Sequence, residues 1–198
     1  MQKHMIAMGD SLTEGIGEEV NNVELKSWVI HFSKQQPTMQ VTNIAKRGLI
    51  SREIRESQLD KAISLKPDLV SLFAGGNDIL KGKWNHEHFH EDMEYMIHQL
   101  ANGTNASIIT CTLPDFTLRL PIPIEKKEAI QAQTLQANDR IQSLSQQYGL
   151  CLIDFWNHPL SKDPDIWSSD GIHPNSVGYQ KIGQIVYESY KQWSLSHS

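Results

Sequence analysis

Short apolar segments alternate along the whole chain with longer segments of helical periodicity. The apolar segments are rich in Val, Ile and Leu, a composition typical of buried strands. They predict strands at residues 5–8, 39–44, 68–74, 106–112 and 150–154. The segments between and after them predict helices at residues 25–36, 51–65, 87–102, 125–148 and 176–193.

The predicted helix 87–102 illustrates the helical periodicity. Its apolar residues recur at steps of three and four and form a single face, made of Phe89, Met93, Met96, Ile97 and Leu100. Five hydrophobic strands separated by such helices indicate a parallel sheet that is covered on both faces, because right-handed crossovers place helices on each side. The predicted fold is therefore a doubly wound, three-layer α/β/α fold with a five-stranded parallel sheet.

Composition and charge narrow the possible classes of protein. The 198 residues contain no linker, repeat or low-complexity tract, and they are expected to form a single domain spanning 1–198. No apolar run approaches the roughly 18 residues of a membrane span. A net charge of -5 with scattered basic residues argues against nucleic acid as a partner, because that role requires clustered Lys and Arg.

The compartment is predicted from the start of the chain and from its cysteines. The apolar stretch before residue 9 is too short for the hydrophobic region of a secretory signal. Cys111 and Cys151 lie in neighbouring predicted strands, one near a carboxyl end and the other near an amino end, too far apart for a disulfide. We therefore expect buried free thiols and a cytoplasmic protein.

Small polar residues and glycines follow four of the predicted strands. In a doubly wound fold these connections meet along one edge of the sheet, where ligands bind. The four segments are residues 9–11 (GDS), 45–48 (AKRG), 75–78 (GGND) and 169–174 (SDGIHP).

Together these segments contain the groups required for acyl transfer by a serine hydroxyl. Such chemistry needs a nucleophile, a base within hydrogen-bond reach, a carboxylate that orients the base, and donors for the oxyanion. Ser11 is the candidate nucleophile, His173 the base and Asp170 its carboxylate. The candidate oxyanion donors are the backbone N–H groups of Ser11 and Gly48 and the side-chain amide of Asn77.

Each segment taken singly has a simpler interpretation as a turn or helix cap. The combination favours catalysis, because unrelated turns have no reason to supply a nucleophile, base, carboxylate and amide together. A different class of function is a flavodoxin-like binding module that holds a phosphate at helix N-termini. That interpretation leaves His173 without a role.

The four segments resemble the sequence blocks of the SGNH hydrolases, also called the GDSL lipase/esterase family. The matching stretches are GDSLTEG, NIAKRG, GGND and DGIHP, and the resemblance extends from residue 5 to about residue 185. It implies a flavodoxin-like sheet of strand order 2-1-3-4-5. It also implies hydrolysis of carboxylic or thioesters through an acyl-serine, without metal or cofactor, as in a lysophospholipase or short-chain esterase. Deacetylation of a carbohydrate and acyl transfer to another acceptor are the alternatives.

Two positions depart from the family pattern. Ala45 stands where many members have glycine, and Leu49 and Ile50 follow Gly48 where a polar GDT is common. The second departure places apolar side chains near the predicted oxyanion site.

The segment 113–128 is the candidate for a specificity element. Pro114, Pro121 and Pro123 prevent a regular helix or a central strand, while alternate positions are apolar. The segment has three interpretations: it packs against the helix beginning near residue 125, it meets another subunit, or it lines an acyl pocket. The predicted pocket residues are Leu49, Ile79, Trp84 and Phe116.

Three alternating histidines, His86, His88 and His90, raise the possibility of a metal site. They open a predicted helix, where positions i and i+2 do not face one another. A solvated helix start is the favoured interpretation, and neither a metal nor any other cofactor is expected. A small-molecule ester is the expected substrate.

Overall fold

The computed structural model of the protein describes residues 3–197 and contains a five-stranded sheet with helices on both faces. The strands are β1 (Lys3–Gly9), β2 (Met39–Asn43), β3 (Leu69–Phe73), β4 (Ser107–Cys111) and β5 (Cys151–Ile153). The helices are α1 (Ser11–Glu14), α2 (Trp28–Lys34), α3 (Ser51–Ser64), α4 (Gly76–Leu80), α5 (His86–Gly103), α6 (Ile124–Tyr148) and α7 (Ser176–Ser196). Short 3-10 turns lie at Phe116–Leu118, Pro159–Lys162 and Pro164–Ile166.

The sheet has the order β2-β1-β3-β4-β5, and every neighbouring pair of strands is parallel. Strand β1 is paired on both sides, with Met5 opposite Val41 of β2 and Leu69 of β3. This arrangement confirms the predicted three-layer α/β fold and the strand order implied by the family resemblance. The carboxyl ends of the central strands therefore lie side by side at one edge.

Alternate residues of each central strand enter two separate hydrophobic clusters. Ile6 and Met8 of β1 pack in the cluster that α3, α5 and α6 cover, whereas Met5 and Ala7 pack in the cluster that α2 and α7 cover. All four side chains are fully buried. Because both faces of the strand are covered, its sequence reads as a continuous apolar run.

The structure corrects several predicted boundaries. Helix α2 begins at Trp28 and not at residue 25, because the Ser27 hydroxyl caps it by accepting a hydrogen bond from the Val29 N–H at 3.3 Å. Helices α1 and α4 have four and five residues, too few to show a periodic pattern. Asn175 caps α7 by accepting a hydrogen bond from the Gly178 N–H.

Both cysteines are free and buried. Cys111 ends β4 and Cys151 begins β5, where it pairs with Ile109. Burial raises the pKa of both thiols, that of Cys151 to about 12. Across residues 3–197, no helix combines the length and the apolar composition needed to cross a bilayer.

Candidate active site

Ser11 is the first residue of α1 and is separated from the carboxyl end of β1 by Asp10 alone. The side chain of Asp10 caps this helix by accepting a hydrogen bond from the Leu12 N–H at 3.1 Å. The carbonyl of Ser11 accepts hydrogen bonds from the N–H groups of Gly15 and Ile16 at 3.0 and 3.1 Å. These bonds fix the backbone at Ser11 and hold its hydroxyl at the edge of the sheet.

The structure brings Ser11, His173 and Asp170 together in a continuous line of contacts. The Nε2 atom of His173 lies 2.8 Å from the Oγ atom of Ser11, and its Nδ1 atom lies 2.6 Å from Oδ2 of Asp170. The other carboxylate oxygen of Asp170 accepts hydrogen bonds from the N–H groups of Ile172 and His173, both at 2.9 Å. This arrangement can transfer a proton from the hydroxyl to the imidazole while the carboxylate holds the ring.

The surroundings of Asp170 keep it ionised. Partial burial by itself would raise its pKa, but the hydrogen bonds from the His173 ring and from the N–H groups of His173 and Ile172 outweigh that effect. The pKa of Asp170 is therefore below its ordinary value. An ionised carboxylate at this position stabilises a protonated imidazole.

Asn77 lies beside Ser11 and His173, and it contacts Leu49, the residue that follows Gly48. The Nδ2 atom of Asn77 donates hydrogen bonds to the carbonyl of Leu49 at 3.0 Å and to Oδ2 of Asp10 at 3.2 Å. Gly48 has a φ of +81°, a conformation that favours glycine, and its carbonyl accepts a hydrogen bond from the Lys81 ammonium. The segment after β2 is thus linked both to α4 and to the end of β1.

Asp10 is a buried carboxyl whose pKa burial raises to about 6, against the opposing effect of its hydrogen bond from Leu12. Because the pKa is raised in the folded state, ionisation of Asp10 costs stability as the pH rises from about 4 to above 6. Above this range, a pKa raised from 3.8 to about 6 corresponds to a cost of about 3 kcal/mol in the free energy of unfolding.

Asp10→Asn removes this ionisation while Asn still caps α1. We expect the variant to unfold with a free energy about 1–3 kcal/mol higher than wild type at pH 8, and with no such gain at pH 4. Urea unfolding at both pH values measures the difference. Asp60→Asn, at an exposed position, is the control and should behave like wild type at both. The same change in stability at pH 4 and pH 8 would contradict the assignment.

A cavity of about 300 Å³ opens beside Ser11 and His173. Its walls are mainly apolar and come from the loops after β4 and β5, from α4 and from α7. The loop after β4 contributes Leu113, Pro114 and Phe116, and the segment between β5 and α7 contributes Leu160, Ile166, Trp167 and Ile172. The segment 113–128, interpreted from sequence as a specificity element, thus contributes one wall of the cavity.

The structure revises the predicted pocket residues. Phe116 lines the cavity, but Leu49, Ile79 and Trp84 do not. These three pack in or against the cluster that α3, α5 and α6 cover, and the Trp84 ring lies 5.2 Å from that of Phe89. Sequence reasoning missed the wall between β5 and α7, because its apolar residues occur among prolines without a periodic pattern.

His86 and His90, two of the three histidines at the start of α5, lie on the same face of the helix. The rings of His86 and His90 lie 3.7 Å apart between centroids, as expected for positions i and i+4. Among residues 3–197, no group of three or more His, Cys, Asp or Glu side chains is arranged to hold a metal ion.

The sequence model of the GDSL-like Lipase/Acylhydrolase family matches residues 7–181. The chain belongs to this family. The match includes Ser11, Gly48, Asn77, Asp170 and His173. Membership of the family confirms the resemblance seen in the sequence.

The chain is also similar to individual proteins of known sequence. It is 26% identical to an acetylxylan esterase of Xylanibacter ruminicola, and the match covers 93% of this chain but 42% of that protein. The chain therefore spans less than half the length of this curated relative.

Solved structures share the fold at low identity. The lipase/acylhydrolase of Enterococcus faecalis has a TM-score of 0.73 at 22% identity, with 96% of each chain covered. The psychrotrophic esterase EstA of a Pseudoalteromonas species has a TM-score of 0.75 at 18% identity, with 96% of this chain and 98% of that chain covered.

Proposed function

We propose that this protein is a serine esterase that cleaves carboxylic or thioesters through an acyl-serine intermediate, with Ser11 as nucleophile. The observation that carries the proposal is the 2.8 Å contact between Ser11 Oγ and His173 Nε2, with Asp170 bound to the other ring nitrogen. Family membership supports the same reaction class.

The reaction follows from this geometry in two halves. Ser11 Oγ forms a bond to the ester carbonyl carbon while His173 Nε2 takes its proton, and Asp170 stabilises the resulting imidazolium. The tetrahedral intermediate then breaks its bond to the leaving oxygen or sulfur, which receives the proton from His173. In the second half a water oxygen bonds to the acyl carbon while His173 takes one of its protons. The bond between the acyl carbon and Ser11 Oγ then breaks, Oγ recovers the proton from His173, and the acid is released.

The oxyanion of each tetrahedral intermediate requires hydrogen-bond donors. We assign this role to the backbone N–H groups of Ser11 and Gly48 and to the Nδ2 atom of Asn77. Support comes from the contact between Asn77 and the Leu49 carbonyl, which keeps the amide beside the glycine segment. Asn77 Nδ2 has two N–H groups, which bind the Leu49 carbonyl at 3.0 Å and Asp10 at 3.2 Å, so the oxyanion would take the place of Asp10, the more distant of the two acceptors.

The cavity supports an aliphatic acyl group as the part of the substrate bound beside Ser11. A methylene group is similar in size to a water molecule, which occupies about 30 Å³ in the liquid. The cavity of about 300 Å³ therefore has room for roughly ten methylene groups. Each methylene moved from water into an apolar site contributes about 0.8 kcal/mol. The proposed substrates are therefore esters of short to medium-length fatty acids.

A second candidate is removal of acetyl groups from a carbohydrate, which the similarity to an acetylxylan esterase favours. An acetyl group would leave most of the apolar cavity unfilled. A series of p-nitrophenyl esters and acetylated xylan distinguishes the two. We expect kcat/KM to rise at least about 10-fold from acetate to octanoate. Higher activity on acetylated xylan than on any aliphatic ester would favour the second candidate.

Labelling by a fluorophosphonate tests whether the protein is an enzyme of this class at all. We expect covalent labelling of Ser11 by a probe with an alkyl chain. A non-catalytic binding module would bind phosphate or nucleotide without being labelled.

Cys111 offers a test of where the acyl chain binds. It is a small buried residue in the cavity wall, and Cys111→Leu would occupy the space of about two methylenes. We expect kcat/KM for p-nitrophenyl octanoate to fall about 10-fold, with little change for the acetate. Cys151→Leu is the matched control, because Cys151 lies in the same hydrophobic cluster but outside the cavity wall. Equal losses on both esters would contradict this placement of the chain.

A further inference from the structure

Arg119 makes three contacts with the segment between β5 and α7, next to the candidate active site. It lies in the loop between β4 and α6, and its Nε atom donates a hydrogen bond to the carbonyl of Gly171 at 2.9 Å. Its Nη1 atom donates to the carbonyl of Ser161, also at 2.9 Å. The guanidinium carbon lies 3.7 Å from the centre of the Trp167 ring. One side chain thus contacts the cavity wall and the segment that contains Asp170 and His173.

The electrostatic surroundings of Arg119 differ from those of an ordinary ion pair. Within residues 3–197 no carboxylate lies within 4 Å of its nitrogens, and the Nη2 atom is buried without a hydrogen-bond partner. Burial lowers the pKa of its guanidinium to about 10. Arg55 provides a contrast, because it stacks on Tyr95 but also binds the carboxylate of Asp92 at 2.9 Å. Arg119 is held mainly by backbone carbonyls and a ring.

Gly171, the residue that Arg119 binds, lies between Asp170 and His173. Its φ of +68° belongs to the left-handed region, and a Cβ atom there would lie 3.1 Å from Cβ of Arg119. Main-chain bonds from Gly171 N–H to Ser168 and from Ser168 N–H to His173, at 3.0 and 2.8 Å, close the turn on itself. The bond from Arg119 connects this closed turn to the loop after β4.

We propose that Arg119 is a positioning residue, which holds the turn containing Asp170 and His173 at the correct distance from Ser11 and ties it to the cavity wall at Trp167. This inference rests on the proposed function, because it concerns the same base and carboxylate. The planar guanidinium is required, because it donates in two directions while its face stacks on a ring. A lysine ammonium has neither the fork nor the flat face.

The test compares Arg119→Met and Arg119→Lys with wild type on p-nitrophenyl acetate, whose acyl group is too short to report on the depth of the cavity. We expect kcat to fall about 10- to 100-fold in both variants, because a displacement of about 1 Å in a catalytic group can cost about 10²-fold. KM should change less than about 3-fold. Urea unfolding of both variants shows whether the fold persists. The kcat of Arg119→Lys should be as low as that of Arg119→Met.

Two further variants separate positioning from a general structural role. Arg55→Met removes a comparable stacked arginine that contacts Asp92 on the α3–α5 side, and its kcat should equal that of wild type. In an Asp170→Asn background, Arg119→Met should cost less than about 3-fold, because the orientation of the imidazole is already lost.

The outcomes distinguish this inference from the proposed function. Unchanged kcat in Arg119→Met, or an equal loss with and without the Asp170→Asn change, would overturn the role of Arg119 while leaving the proposed esterase mechanism intact. Wild-type turnover in Asp170→Asn itself would instead overturn the assignment of the base and carboxylate. A fall in kcat of about 10- to 100-fold that disappears in the Asp170→Asn background would support the inference.

Discussion

Ser11→Ala is expected to lower kcat for p-nitrophenyl butyrate by about 10⁶-fold, the scale of loss that follows removal of a nucleophilic serine in other hydrolases. The hydroxyl lies 2.8 Å from the Nε2 atom of His173, and removing it leaves no atom to form the acyl intermediate. The oxyanion donors and the cavity remain, so the variant should still bind the ester. Steady-state kinetics with purified protein measures the loss.

Labelling with a fluorophosphonate provides an independent measurement for the same variant. The wild type should gain the mass of one probe, and Ser11→Ala should gain none. Ser57→Ala removes a hydroxyl from an exposed position of α3 and is the matched control, with wild-type turnover and labelling. If Ser11→Ala keeps more than about a tenth of the turnover, the assigned nucleophile is wrong.

Asp170→Asn is expected to lower kcat by about 10⁴-fold, because the amide changes the tautomer of His173. The carboxylate oxygen 2.6 Å from Nδ1 accepts a hydrogen bond from the ring N–H, which keeps the proton on Nδ1 and leaves Nε2 free to act as the base. An asparagine amide that donates to Nδ1 instead places the ring proton on Nε2, facing Ser11. The Nε2 atom then already carries a proton and cannot take one from Ser11, although the positions of the side chains are preserved.

A pH series of kcat/KM checks this interpretation. In Asp170→Asn, activity should rise with pH where hydroxide can replace the lost base, whereas wild type should level off. Asp165→Asn, at an exposed position in the same segment between β5 and α7, is the control and should match wild type. A loss of less than about 10-fold in Asp170→Asn would show that the carboxylate does not orient the base.

The sheet was predictable because of how its strands are buried. Each central strand packs against helices on both faces, so β1 and β3 read as mainly apolar runs, although β3 contains the buried Ser71. Their bounds differ from the predicted ones by one or two residues. The strand order came from the family resemblance and was confirmed. Helices α1 and α4 were not predictable, because a segment of four or five residues spans little more than one turn.

The candidate site was only partly accessible from the sequence. The polar residues could be singled out because each follows a strand, and a parallel sheet brings such positions to one edge. The cavity wall could not, because side chains such as Trp167 and Phe155 do not differ in type from those that fill the core. Leu49, Ile79 and Trp84 show the converse error, since apolar residues near the predicted oxyanion site turned out to pack in a hydrophobic cluster.

Arg119 is a further example of what sequence patterns leave out. An arginine in a proline-containing loop reads as an exposed charge, whereas here its hydrogen-bond acceptors are the carbonyls of Gly171 and Ser161. Every residue has a carbonyl, so no side-chain type marks such a partner. Only the folded arrangement of the two segments reveals the contact.

The wide separation of Ser11 and His173, 162 positions apart in the chain, bears on when the protein becomes active during synthesis. A ribosome completes β1 and the hydroxyl early, but the imidazole emerges only after four further strands have been made. Under the proposed mechanism, an unfinished chain carries a serine without its base and is inert towards cellular esters. Activity therefore begins only once nearly the whole domain has been translated and folded.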